Sequence, residues 1–500
     1  MGQAAAAGMM NEHGRRARGA WAAGGTAVAL LLLYLGAGTS LVGPLRGGGG
    51  GGGGDCHPQL HLHSSPKTRI AWFYAFPSTP PSGLTFAEAR PIATDNSGNL
   101  VWATGALRLL DPNRTELVDA RAPRDPAEPP PAAMLLPTAN LLVNASRYKA
   151  EAQLTHIFTK LVRDTAAPTL LVGIGTQVYM RDGVDEDAGP EAIATPDSVT
   201  LDATQAELLT AVAESGGVIT VRGQFTAGVM EANGLKPPLA LGCPSLFLNH
   251  APRLGAELQR KWDAILAARN SSLRVAVPLP QVVLQKLGYP QEQVGKGARH
   301  SKSMPTLRGR TLMGASPQLL QVALLVSRVL SALPGSVVVV QTPSDYALIK
   351  TMNAKLGFYL SPERIRFYYD VDAWVAGLRS CCDMVFGFRI HGAMAGIAAG
   401  LPSVVISQDH RVMELAEAMA VPTARWFDPG PLHDPKKSFF DILKAIGFDG
   451  AAFDARRRSH AKAYQREFQA VKIPIHPGVA TIANDDGAEA DDGTAADDYD

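Results

Sequence analysis

Short apolar runs alternate with helical stretches twice along this chain, and no other feature limits its possible folds as strongly. In the first set, Thr68-Arg69-Ile70-Ala71-Trp72-Phe73-Tyr74-Ala75-Phe76, residues 134–143, Thr169-Leu170-Leu171-Val172-Gly173-Ile174-Gly175 and residues 218–221 read as strands. Helical spacing fills 99–110, 148–163, 204–214 and 224–232. The second set opens with Leu273-Arg274-Val275-Ala276-Val277. It continues with strands over 336–340, 364–368, 384–387 and 403–406, separated by helices over 317–332, 344–356, 373–380, 393–399 and 412–420. Strands this apolar are buried on both faces, and strands separated by helices pair in parallel. The expected fold is therefore α/β, with two doubly wound parallel-sheet domains facing a cleft.

The ends of the chain read differently. Residues 21–45 contain Ala27-Val28-Ala29-Leu30-Leu31-Leu32-Leu33-Tyr34-Leu35 and no charge. A run of roughly 20 such residues spans a bilayer core. Arg15, Arg16 and Arg18 precede it, so the positive-inside rule keeps the amino end cytosolic and sends the rest into the lumen. A cleaved signal peptide is the alternative, because Ala37, Gly38 and Ser40 are small. The expected order is a cytosolic tail (1–20), a single transmembrane signal anchor (21–45), a Gly-rich stem (46–66) and an α/β domain (67–250). A second α/β domain (271–425) follows, with helices over 426–477 and a disordered acidic tail over 478–500. The linker falls near 250–270.

Net charge is +1, and eight acids in 485–500 leave the middle of the chain modestly basic. That balance suits an anionic small substrate and lacks the basic stripe of a nucleic-acid binder. Asn113, Asn144 and Asn270 open glycosylation triplets. Cys56, Cys243, Cys381 and Cys382 are too few for a disulfide scaffold, and no Cys-x-x-Cys spacing marks a zinc site. They read as small buried hydrophobes, with one bridge left undetermined.

The chemistry concentrates in Gly387-Phe388-Arg389-Ile390-His391-Gly392. An apolar run ends in an Arg and a His two positions apart, and a small-residue helix follows. At the carboxyl end of a parallel strand, a helix N-terminus offers N–H donors to an anion. Arg389 supplies a guanidinium there, and His391 a group that titrates near neutrality. A plain hydrogen-bond network at a strand end is the structural alternative. Asp185-Glu186-Asp187 and Asp370-Val371-Asp372 match an Asp-x-Asp metal pattern. They read instead as a loop and as a strand exit with Asp372 capping a helix, so no metal is expected. Gly173-Ile174-Gly175 lacks the third Gly of a dinucleotide fingerprint and reads as a close turn. The basic loop over 295–302 reads as solvated.

Seven ordered blocks resemble the polysaccharide pyruvyl transferase family: Asp95-Asn96-Ser97-Gly98-Asn99, Val172-Gly173-Ile174-Gly175, Val221-Arg222-Gly223, Gly242-Cys243-Pro244-Ser245-Leu246, Tyr369-Asp370, the Arg389/His391 block, and Leu401-Pro402-Ser403-Val404-Val405-Ile406-Ser407. They run over roughly residues 90 to 425. The resemblance implies a GT-B-like enzyme that moves the enolpyruvyl unit of phosphoenolpyruvate onto sugar hydroxyls, forming a pyruvate ketal on a glycan. It implies phosphoenolpyruvate as co-substrate, no cofactor, and a glycan or polysaccharide acceptor. Arg389 then clamps the donor anion and His391 is the general acid or phosphate ligand. Arg222, Arg411 and the helix start at Gly392 complete the donor site. Asp95, Asn96 and Asn99 orient acceptor hydroxyls or cap a helix. The family commonly has Asp where Asn99 stands, and an amide is no base. With the anchor, this reading makes a single-pass type II Golgi membrane protein with a lumenal catalytic domain. A nucleotide-sugar GT-B glycosyltransferase and a non-catalytic lumenal glycan-binding protein are the alternatives.

Overall fold

The computed structural model describes residues 66–73, 84–89, 96–122, 125–142, 149–176, 194–280, 306–307, 310–311, 317–343, 345–346, 349, 353, 359–426, 428 and 430–485. The first domain is built on β1 (Thr68–Trp72), α1 (Phe86–Ala89), α2 (Gly98–Leu107), β2 (Thr115–Asp119), β3 (Ala133–Pro137), β4 (Asn140–Leu142) and α3 (Lys149–Thr165). It continues with β5 (Thr169–Thr176), α4 (Ala203–Glu214), β6 (Val218–Val221), α5 (Gln224–Ala232) and β7 (Leu239–Ala240). Its strands pair in parallel in the order β2-β1-β3-β5-β6-β7, with β4 beside β5.

Helix α6 (Leu254–Ala268) leads into the second domain: β8 (Val275–Pro278), β9 (Thr306–Leu307), β10 (Arg310–Thr311), α7 (Pro317–Ala332), β11 (Val337–Val340), β12 (Ile365–Phe367) and α8 (Val371–Cys381). Then come β13 (Met384–Gly387), α9 (Ile390–Ala398), β14 (Ser403–Ser407), α10 (His410–Met419) and β15 (Thr423–Arg425). The main sheet is again parallel, ordered β12-β11-β8-β13-β14-β15. In chain order this is the 3-2-1-4-5-6 sequence of a doubly wound sheet, and its direction of winding reverses between β8 and β13. In sheets of this order, ligands bind at the carboxyl ends of such a strand pair. The strands are apolar for the reason expected of a sheet covered on both sides: β11 is four valines, all buried.

The two domains meet through a shared core that runs from Ile70, Trp102 and Leu246 across to Met394, Val405 and Leu415. Helices α11 (Phe439–Ile446), α12 (Gly450–Ala470) and α13 (Pro477–Asn484) close the molecule. Beyond α12 the chain reaches the first domain, where Asp111 donates its N–H to Pro474 and His476 donates to Leu109. The fully buried Arg457 ties α12 to the interdomain connection by donating to Ala251 O (2.7 Å) and Asn249 O (2.5 Å).

Several expectations are corrected. The stretch read as a linker is largely helix α6, whose apolar face carries buried Leu254, Leu258 and Trp262. Strand β2 was not foreseen, because an edge strand with three exposed positions shows little apolar pattern. Helix α8 is capped by Asp370, which accepts from Ala373 N at 2.7 Å, while Asp372 pairs with Arg108, the residue after α2, across the domains at 2.8 Å. Cys381 and Cys382 lie at the end of α8, and neither they nor Cys243 are in a disulfide. Among the described residues no helix is long and apolar enough to cross a membrane. The placement as a single-pass type II Golgi membrane protein is corrected to that extent: no described helix supplies the anchor it requires. The 21–45 segment, the stem, Cys56, Asp95, Asn144, residues 185–187, the 295–302 loop and residues 486–500 lie outside the described residues.

Candidate active site between the domains

The switch point of the second sheet is held tightly. Phe388 donates its N–H to Pro278 O at 2.9 Å, at the end of the neighbouring strand. Arg389 is the N-cap residue of α9, so His391 and Gly392 fall in the first turn of that helix. Gln341, at the carboxyl end of β11, lies beside them. A Cβ on Gly392 would stand 2.6 Å from Pro278 Cγ and 2.9 Å from Gln341 Nε2, so only glycine fits. From the first domain, the start of α2 reaches the same place: a Cβ on Gly98 would meet Gln341 Oε1 at 2.7 Å and His391 Nδ1 at 3.4 Å. Two helix N-termini, one from each domain, therefore converge on His391 and Gln341.

Arg389 is turned away from open solvent. Its Nε donates to Leu279 O at 2.9 Å, and its Nη2 donates to Thr342 Oγ1 (3.1 Å) and Asp345 Oδ1 (2.6 Å). Asp345 is fully buried and also accepts from the N–H groups of Gln341 and Thr342. This is a buried ion pair that fixes the loop after β11 to the loop after β13.

Arg222 follows β6 in the first domain and is only 2% exposed. It lies flat over Gly175, where a Cβ would come within 2.3 Å of Arg222 Cδ. Its Nε donates to Gly173 O at 3.2 Å and its Nη1 to Asn140 Oδ1. Both partners are neutral. Burial, with the charge of Arg411 adding to it, pushes the guanidinium down to about 10. Arg411, in the first turn of α10, pairs with the capping Asp409 at 3.2 Å, and its buried Nε has no hydrogen-bond partner among the described residues.

The acid nearest to compensating Arg222 is Glu414 of α10. Its two oxygens accept from Thr226 N (3.0 Å) and Thr226 Oγ1 (2.8 Å), so a carboxyl of the second domain caps α5 of the first. Burial raises Glu414 to about 7 against those hydrogen bonds and against Arg222. Phe225 stacks on His410 beside it, with ring centroids 4.4 Å apart and planes 17° apart.

His391 is half-buried at the centre of this arrangement. Burial first, then the charges of Arg222, Arg411 and Arg389, hold it well below its usual 6.5, so the ring is neutral at neutral pH. Its Nε2 lies 4.0 Å from the Sγ of Cys243, which in turn accepts from Ser245 Oγ at 3.0 Å.

Of the residues singled out in the sequence, the structure gathers His391, Gly392, Arg389, Arg222, Arg411 and Asn96 around one cleft. Asn96 Oδ1 accepts from Gly98 N at 3.1 Å, as a turn does at a helix start. Asn99 is directed elsewhere and accepts from Trp102 Nε1 at 3.3 Å. Asn113 and Asn270 sit in exposed turns. Cys243, Glu414 and Gln341 were missed. The signal for Cys243 was present in the Gly-Cys-Pro-Ser block. For Glu414 it was an acid on the helical face that also carries His410.

The chain matches no protein-family profile and no curated protein. Among solved structures it is similar to a putative UDP-N-acetylglucosamine 2-epimerase from Listeria monocytogenes, at 13% identity over 79% of this chain and 82% of that one, with a TM-score of 0.33. It is also similar to S. aureus MnaA with UDP (10% identity, 75% and 81%, TM-score 0.29). A variant of the wall teichoic acid polymerase TagF is similar too (11% identity, 82% and 90%, TM-score 0.30). Likenesses at this level carry no functional weight.

Proposed function

We propose that the chain is a GT-B-like transferase that moves the pyruvyl group of phosphoenolpyruvate onto sugar hydroxyls of a glycan. One observation carries the reading: Arg222 is a buried cation whose hydrogen-bond partners are neutral, placed where its charge bears on a neutral histidine. A buried charge without a full counter-ion costs several kcal/mol, roughly, unless an anion arrives to pair with it. A donor with both a phosphate and a carboxylate supplies that anion. In this reading Arg222 and Arg411 take the donor's negative groups. Arg389, already held by Asp345, braces the loop that presents His391. The first-turn N–H groups of α9, Gly392 included, face the developing charge. His391 delivers a proton to the methylene carbon while one acceptor hydroxyl attacks the adjacent carbon, and a second acceptor hydroxyl then takes the place of the departing phosphate to close the ketal. Asn96 orients the acceptor.

The 3-2-1-4-5-6 strand order favours one second reading, glycosyl transfer from a nucleotide sugar, because such sheets hold nucleotides at the switch point. Against it, Pro278-Leu279 stand where a Gly-rich phosphate turn would follow the first strand. Thermal melting against phosphoenolpyruvate and a panel of nucleotide sugars decides between them. A ligand at about 100 times its Kd adds about 2.7 kcal/mol of stability. The expected result is a shift with phosphoenolpyruvate that R222Q abolishes. A shift with a nucleotide sugar alone transfers the site to glycosyl transfer, and no shift with either leaves a glycan-binding protein without turnover.

A further inference from the structure

Cys243 has no part in the chemistry just described, yet it is placed directly behind His391. Its side chain is 2% exposed, so no substrate reaches the sulfur and it is not a nucleophile. Burial also pushes the thiol up, against the opposing influence of Ser245 and Arg222, so it is present as S–H. Ser245 donates its hydroxyl proton to Sγ. Among the described residues, the thiol's own proton then has the Nε2 of His391 within reach, at 4.0 Å.

A neutral imidazole has one N–H and one acceptor nitrogen, and the partner of one nitrogen decides which is which. With Nε2 accepting from the thiol, the ring proton sits on Nδ1, the nitrogen that faces the start of α2 at Gly98. The charged groups that act on the ring are Arg222 from the first domain, Arg411 of α10 and Arg389 on its own helix cap. The three arginines disfavour an imidazolium, so the ring cannot wait in its charged form to act as the acid.

We propose that Cys243 is a positioning and relay residue: it holds His391 in the Nδ1–H tautomer and resupplies the proton that His391 gives to substrate. The chemical step rests on the pyruvyl-transfer reading; the tautomer does not. In the step, Nδ1–H protonates the methylene carbon while Nε2 takes the proton from Sγ. The imidazole stays neutral and Cys243 becomes a thiolate, held by the Ser245 hydroxyl and the charge of Arg222. The first acceptor hydroxyl loses its proton as it forms the first C–O bond, and that proton returns through His391 in the opposite direction and restores the thiol. A second acceptor hydroxyl then takes the place of the phosphate at the same carbon, and the departing phosphate carries off its proton.

The test begins with 15N NMR of the full chain labelled at histidine, with the His391 resonances assigned by their loss in H391Q. The expected result near pH 7 is a neutral ring with the proton on Nδ1, shifting toward the Nε2–H tautomer in C243A. C243S, whose hydroxyl still donates, should restore the Nδ1–H form. An imidazolium, an Nε2–H wild-type ring, or a spectrum unchanged in C243A overturns the proposal. Turnover with phosphoenolpyruvate supplies the second readout. C243A should lose about 10²-fold in kcat with KM unchanged, and C243S should recover part of it. Unchanged kcat in C243A overturns the relay. A wild-type protein that does not turn over phosphoenolpyruvate sinks the donor assignment and leaves the tautomer result standing.

Discussion

Replacing Glu414 with Gln tests the electrostatics of the site without touching substrate. The carboxyl is 4% exposed and rises from 4.5 to about 7 on folding, with burial the largest cause. Two hydrogen bonds from Thr226 and the charge of Arg222 oppose that rise and lose. For a carboxyl raised on folding, the unfolded chain ionises first. Stability from this group is therefore complete below pH 4.5, falls as pH rises toward about 7, and is flat above. The gap, at about 1.36 kcal/mol per pH unit, amounts to about 3 kcal/mol. E414Q keeps an oxygen to accept from Thr226 and removes the charge. Urea unfolding of both proteins between pH 4.5 and 8 gives a difference curve in which the other titrating groups cancel. The variant should gain about 3 kcal/mol on wild type across that range. A flat difference, or one of opposite slope, would mean that Arg222 and Thr226 overcome burial, and that Glu414 is the full counter-ion of Arg222. That outcome would also remove the case for an anion site, because Arg222 would no longer need a ligand.

Three further outcomes follow from buried groups. His460 is 4% exposed and held at about 4 by burial, so its contribution is present above 6.5 and lost as pH falls toward about 4. H460Q should remove about 3 kcal/mol of that acid-side loss, read from the same urea titration. R457A should cost about 4 kcal/mol by urea unfolding, because Asp454 and two carbonyls lose their buried partner. G392A forces a methyl to within 2.6 Å of Pro278 and should cost about 2 kcal/mol with lower turnover; an unchanged Tm would show that α9 can shift away from β8.

The two sets of strands and helices were legible because a strand buried on both faces has little freedom in composition. Val337-Val338-Val339-Val340 can hardly be anything else. What the pattern leaves open is the order of strands, because β8, β11 and β13 look alike when each is read alone. That order decides which loops share an edge. It places Pro278 beside Gly387, and through them the start of α9 beside Gln341. The local motif at Arg389 and His391 was visible for a related reason: polar groups at the end of an apolar run stand out against it. Their partners were hidden, since Asp345, Arg222 and Cys243 lie in other blocks.

Arg389 and Arg222 show why residue type alone did not assign the site. Both are arginines at the end of a buried parallel strand, and Arg389 drew more weight in the sequence because a histidine stands two positions away. The distinction lies in what each guanidinium meets after folding. Asp345, buried with its lone pairs taken up by two N–H groups, a hydroxyl and Arg389, completes one cation. An amide oxygen and a carbonyl hold the other, whose charge is offset only in part by Glu414 and Asp409. A completed ion pair rigidifies the loop it belongs to, and a partly compensated cation attracts an anion. The division of labour between brace and clamp therefore follows from one carboxylate's position, set by the turn after β11 and invisible until that turn and β13 are side by side.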